Sequence, residues 1–212
     1  ITLPMLFDAD TSDPAGALRR ALEDLLNAAE QAIREGASLV ILSDRDVSPE
    51  KAAIPSLLAT AAIHHGLLER RVRSQAGICV ESGEPREVMH FCLLCGYGAK
   101  AINPYLAFEA IHKLRKEGDL PQDLELEQLG DQYITAVKKG ILKTMSKMGI
   151  STLRSYHGAQ QFEAVGLSRA VIDKYFTGTP SRIEGCGLEV IAREALQRHP
   201  PLHYPLAVHD AH

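Results

Sequence analysis

The chain contains no tryptophan, and phenylalanine and tyrosine together make up only 5% of it. Its core must therefore be built from aliphatic side chains and alanine rather than large rings. Cysteine is scarce as well. Four cysteines at irregular spacing in 212 residues exclude a disulfide framework and suit free thiols in a reducing compartment. No apolar run approaches the ~20 residues that cross a bilayer, and the N-terminus lacks the basic-then-apolar pattern of a secretory leader. The expectation is a cytoplasmic protein with no membrane partner. Positive charge is not in excess either: 23 Lys and Arg stand against 27 Asp and Glu, which removes nucleic acid from the expected partners. Internal repeats, low-complexity tracts, a Walker or dinucleotide fingerprint and a nucleophile elbow are all missing. A start at Ile1 rather than methionine suggests a piece of a longer polypeptide.

What remains is ordinary for one globular domain, 45% hydrophobic and 24% charged, with enough length to bury a core. Its organisation is clearest around residues 138–166, KKGILKTMSKMGISTLRSYHGAQQFEAVG. Upstream, Leu126, Leu129, Tyr133, Val137, Ile141, Met145 and Met148 recur every three or four residues, one stripe of a long helix. Gly149 is placed to close that helix in a left-handed conformation. The β-rich 150–153 (ISTL) then predicts a strand, 154–158 a polar loop and 159–165 a further helical pattern.

Earlier in the chain, 1–7 predicts a strand or extended entry, with Pro4 arguing for an edge. Asp13 is a candidate N-cap before a helix over 17–35, stopped by Gly36. The apolar run 38–43 (SLVILS) predicts a strand covered on both faces. A helix follows from 49 with Pro55 in its first turn, then a strand over 76–82, a helix over 85–94, a strand over 100–104 and a helix over 105–116. Residues 118–130 are acidic and contain Pro121, a surface connection. After Gly166, Ser168 is a candidate N-cap for 169–176, 177–182 forms a turn and 188–197 a last helix. The proline-rich tail 200–212 is expected to be extended or disordered. Strands alternating with helices define an α/β protein with a parallel sheet. Five strands in 212 residues fall short of a closed eight-stranded barrel.

Several stretches closely resemble the central domain of the large chain of the glutamate synthase family: LSDR at 42–45, IPSLLATAAIHH at 54–65, VESGEPREVMHF at 80–91, GYGAKAINPYLAFE at 96–109, and 138–167 followed by VIDKYFTGTPSRIEGCGLEVIAREAL. The resemblance implies parallel β/α units forming an incomplete TIM-barrel-like domain over residues 1–199, with 200–212 leading towards an FMN-binding domain. It implies a parent enzyme that converts glutamine and 2-oxoglutarate to two glutamates. In it, this domain joins an amidotransferase domain to the FMN-binding domain of the same polypeptide and contributes to the passage of ammonia. FMN and an iron-sulfur cluster belong to the parent, with no cofactor and no catalytic residue in this piece; a small reductase subunit or ferredoxin supplies electrons. The alternatives are a free-standing β/α enzyme and a small-molecule regulatory module.

In parallel β/α folds polar groups collect at the carboxyl ends of the strands. The predicted strands place Ser43, Asp44, Arg45, Glu81, Ser82, Asn103, Arg154, Ser155 and Tyr156 there, a polar ring that either caps helices or lines a ligand site or passage. Cys92 and Cys95 form a CxxC late in an apolar helix, the wrong end for a low-pKa thiol, and no second pair completes a zinc site. They are expected to be core thiols. Gly185 and Gly187 are expected to open the last helix in a tight turn, and His64 and His65 to divide between core and solvent. Lys139, Lys143 and Lys147 form a solvated cationic stripe.

Overall fold

Short apolar runs bounded by proline, glycine and serine become the strands, and the amphipathic stretches between them become the covering helices. The computed structural model describes residues 1–159 and 161–199, so the tail 200–212 lies outside the described residues. In chain order the elements are β1 (Thr2–Pro4), β2 (Leu6–Asp8), α1 (Pro14–Arg34), β3 (Leu39–Ser43), β4 (Lys51–Ala53), α2 (Ser56–Glu69), β5 (Gly77–Glu81), α3 (Val88–Gly96), β6 (Ala99–Asn103) and α4 (Tyr105–Glu117). They continue with α5 (Leu126–Lys147), α6 (Leu153–Tyr156), β7 (Ala164–Leu167), α7 (Arg169–Tyr175), β8 (Ser181–Cys186) and α8 (Leu188–Arg198).

Strands β1, β3, β5 and β6 form a four-stranded sheet in that order, every pair parallel. Its edge strand β1 ends at Pro4, where the missing N–H costs the ladder nothing. Helices α1, α2 and α3 pack on the strands and on one another. Beneath them lies the main core, including Leu18, Val40, Leu42, Ile63, Ile78 and Val80. The architecture is a mixed α/β domain with a parallel sheet, matching an incomplete barrel; the strands described do not close into one.

The helix ends follow local chemistry. The Asp13 carboxylate accepts from the Gly16 N–H at 2.9 Å and starts α1, and the Ser168 side chain accepts from Val171 to start α7. Beyond α5, Gly149 adopts φ +72° while the Ile150 N–H reaches back to the Met145 carbonyl at 2.9 Å, the left-handed closure that the sequence predicts. The apolar stripe of α5 meets α3 in a second cluster of Cys92, Cys95, Met145 and Tyr156. Lys139, Lys143 and Lys147 lie exposed on the outside.

Four expectations are corrected. Residues 38–43 are not covered on both faces: Val40 and Leu42 are buried but Leu39 is 42% exposed, because helices cover the sheet from one side. Residues 150–153 form no strand. Thr152 instead caps α6, its hydroxyl accepting from the Ser155 N–H at 3.2 Å, and no neighbouring strand offers a ladder to compete with that cap. The described residues of 159–165 form no helix, Ala164 and Val165 opening β7 instead, and the stretch after the predicted turn is a strand. The two pieces, β7 and β8, satisfy each other as a parallel pair, a long-range choice that local pattern does not reveal. Gly185 therefore sits inside β8, and Gly187 alone precedes α8. The antiparallel pair of β2 with β4 is an addition at the carboxyl end of the sheet.

A candidate site at the carboxyl ends of the strands

Register brings the ring together. Ser43 pairs with Glu81 and Glu81 with Asn103 across adjacent parallel strands, so three polar side chains line up at the last ladder position. The Ser43 hydroxyl donates to one Glu81 oxygen at 2.8 Å, while Arg45 Nε at 2.8 Å and Asn103 Nδ2 at 3.1 Å donate to the other. Arg45 also lies over the Tyr105 ring, 4.2 Å from its centroid, a cation–π contact. Hydrogen bonds from Arg45, then from Ser43, hold the Glu81 carboxyl below its usual range.

Asp44 forms a second, more buried node. It accepts from the Ser82 hydroxyl at 2.6 Å and from the Gly83 N–H at 3.2 Å to both oxygens. Burial pushes its carboxyl up against the opposing pull of Ser82, Tyr105 and Gly83. Ser82 in turn accepts from the Glu84 N–H, and the Glu84 carboxylate caps α2 by accepting from the Ser56 N–H at 2.6 Å. This carboxylate-to-helix relay satisfies donors that the turn after β5 and the start of α2 would otherwise leave open.

Beside these nodes opens a cleft with a cavity volume of about 600 Å³, its wall shared by Asp44, Glu84, His90 and Tyr105 from the strand-end loops and helix starts, by Leu57 and Leu94, and by Arg198 from α8. Size and position are those of ligand sites in parallel α/β folds. Glu84 and Tyr105 were not among the sequence-derived candidates. Their signal was position: each follows a strand end by a few residues.

Arg154, Ser155 and Tyr156 do not join the ring. They belong to α6 at the opposite end of the sheet, where the following Gly158 N–H bonds the Gly96 carbonyl and His157 meets Lys100 at the start of β6. Arg154 and Ser155 are exposed, whereas Tyr156 is buried and donates to the Cys92 carbonyl at 3.0 Å. The placement fails for the same reason as the strand: without a strand over 150–153 there is no strand end there.

The cysteines are free and scattered, Cys92 and Cys95 buried in α3 as expected, Cys79 half-buried in β5 and Cys186 exposed in β8. Burial pushes the Cys95 thiol up to about 11, so it is no nucleophile. Among the described residues no group of three or more His, Cys, Asp or Glu is disposed to hold a metal ion, so an iron-sulfur centre does not fit these side chains. No helix among them is long and apolar enough to cross a membrane.

A one-sided parallel β/α sheet with a strand-end cleft defines the class, an incomplete barrel-like domain. Residues 1–168 match the family model described as the glutamate synthase central domain, and the chain belongs to that family. It is 50% identical over 182 residues to the glutamate synthase [NADPH] large chain of Bacillus subtilis, 86% of this chain and 12% of that protein. Identity is 44% over 188 residues to the glutamate synthase [NADH] of Schizosaccharomyces pombe, 89% of this chain and 9% of that one. It is 41% over 192 residues to the ferredoxin-dependent glutamate synthase 1, chloroplastic/mitochondrial, of Arabidopsis thaliana, 85% of this chain and 12% of that one. The chain thus spans no more than 12% of the length of these relatives.

Proposed function

We propose that the chain is the connecting domain of a glutamate synthase polypeptide. In this reading residues 1–199 join an amidotransferase domain, which releases ammonia from glutamine, to an FMN-binding domain where 2-oxoglutarate is aminated and reduced, and 200–212 lead towards the latter. The domain turns over no substrate itself. It guides ammonia, in a cytoplasmic enzyme whose electrons come from a small reductase subunit or ferredoxin and pass through FMN and an iron-sulfur cluster held elsewhere in the polypeptide.

The observation that carries this reading is the strand-end cleft of about 600 Å³, whose acidic groups are already engaged within the domain. Asp44 and Glu84 are bonded to Ser82, Gly83 and Ser56. Carboxylates so engaged are poor general bases but good walls, since a neutral small molecule needs polar surroundings and exclusion of bulk water.

The test narrows the cleft in the full-length enzyme. Val47 lines it and is already 36% exposed, so Val47→Trp fills space at little structural cost. Asn103→Leu removes a neutral polar group beside it. Glutaminase turnover and ammonia-dependent synthesis should hold in both variants while glutamine-dependent synthesis falls. Equal losses in all three assays, tracking the melting temperature, would reduce the domain to a spacer.

A further inference from the structure

At the amino end of the same sheet, the neighbourhood of His64 contains donors without acceptors. Arg73, between α2 and β5, is half-buried. Its guanidinium donates to His64 Nδ1 at 3.0 Å and to the carbonyls of Ala76 and Gly98 at 2.8 Å each. None of these partners is charged, and burial alone acts on its pKa. Arg70, three residues earlier, shows the usual alternative, bonded to Glu23 at 2.9 Å and Glu30 at 2.7 Å. Lys100 at the start of β6 is the second cation, its ammonium 3.0 Å from His157 Nδ1. Arg73 is half-buried and Lys100 exposed, and among the described residues neither cation is bonded to a carboxylate, so their positive charge is open to an anion.

The two cations also decide the imidazole tautomers. Neither a guanidinium nor an ammonium can accept a hydrogen bond, so Nδ1 of His64 and of His157 must accept, and in both rings the proton sits on Nε2. His157 Nε2 is buried and without a partner, as is His65 Nε2. His64 Nε2 is turned towards Gly158. Both Gly158 and the two adjacent histidines line a cavity of about 160 Å³, closed by Gly96, Tyr97 and Phe162. A carboxylate acts on His65, that of Glu69, exposed one turn further along α2.

We propose that this cavity binds a small inorganic anion, a halide or an oxyanion, which takes the imidazole N–H groups of His64 and His65 as its donors, with Arg73 on the far side of the His64 ring supplying positive charge. The site is independent of the passage proposed above, which would use the other end of the sheet. Burial and the neighbouring cations hold His64 down to about 3 and His157 to about 4, so at neutral pH both rings are neutral donors, and a bound anion stabilises their protonated forms.

Two measurements on the full chain test this. The first is the chloride-35 line width in chloride solution, with inorganic phosphate as competitor. Wild type should show a saturable excess that phosphate removes, and His65→Phe, which fills the cavity with a ring of similar size, should lose it. If phosphate leaves the excess in place, the site is selective for halide. An excess that never appears, or that survives in His65→Phe, overturns the site and leaves a cavity filled by water. The second needs no variant: with nitrogen-15 histidine, two rings should report Nε2–H tautomers at pH 7 and titrate at higher pH when chloride or phosphate is added. Titration unmoved by both anions overturns the proposal even if His65→Phe does not fold.

Discussion

The two ends of the four-stranded sheet solve opposite electrostatic problems. At the carboxyl end Asp44, Glu81 and Glu84 meet hydroxyls, backbone N–H groups, an amide and one arginine, so every acidic group named has donors. At the amino end Arg73 and Lys100 meet imidazoles and carbonyls, and among the described residues no carboxylate bonds either cation. One end is closed upon itself. The other leaves Nε2 of His65 and of His157 buried without a partner. The difference teaches that satisfaction of buried polar groups, more than their number, separates a closed structural network from one with donors to spare.

Breaking the closed end should have the largest effect. Asp44→Ala strands the Ser82 hydroxyl and the Gly83 N–H in a buried place, at a cost of about 3 kcal/mol. A urea midpoint within error of wild type would show that water replaces the carboxylate freely, and the network would lose its structural standing.

Acid should separate the two ends next. His64 and His157 have depressed pKa values in the fold, whereas in the unfolded chain they take protons near 6.5. Their contribution is complete above pH 6.5 and is lost as pH falls from there towards 4 and then 3, by up to about 1.4 kcal/mol per pH unit for each ring. Glu81, held below its ordinary 4.5, gives up its contribution only as pH falls through that lower range. Asp44, raised by burial, works in the opposite sense and offsets part of the later loss. Urea midpoints in chloride-free and phosphate-free buffer should therefore fall between pH 7 and 5 because of the amino end. His64→Gln, which keeps an acceptor for Arg73, should flatten that fall, and a slope unchanged by this substitution would contradict the burial of the ring.

The smallest effect calibrates both. Gly149 touches neither network, and a side chain added there would meet nothing within 4 Å, so Gly149→Val reports backbone strain at φ +72° alone, about 1–2 kcal/mol. An unchanged midpoint would mean that the end of α5 rearranges.

Much of this was legible beforehand. Strands β3, β5 and β6 stood out as short apolar runs between breakers, and because their ends fall in register, Ser43, Asp44, Arg45, Glu81, Ser82 and Asn103 could be grouped from sequence. Helix starts at Asp13 and Ser168 and the stop at Gly149 were equally local. The family stretches carried the identification. Arg154, Ser155 and Tyr156 were misplaced because ISTL has the composition of a strand, and composition says nothing about whether a partner strand is present. The amino-end group was invisible: His64, Arg73, Lys100 and His157 lie far apart in the chain, and His64 and His65 suggested one core and one solvated ring where both are half-buried.

The sequence by itself determined periodicity, caps and breaks, because these depend on neighbours within about a turn of helix or a few strand residues. It also determined which strand ends carry polar groups. Tertiary structure alone decided that β7 pairs with β8, that the sheet is covered on one side, that Tyr105 and Glu84 complete the carboxyl end and that two cations share a pair of imidazoles. Each of these depends on which distant segments meet, and only packing of the whole chain sets such meetings.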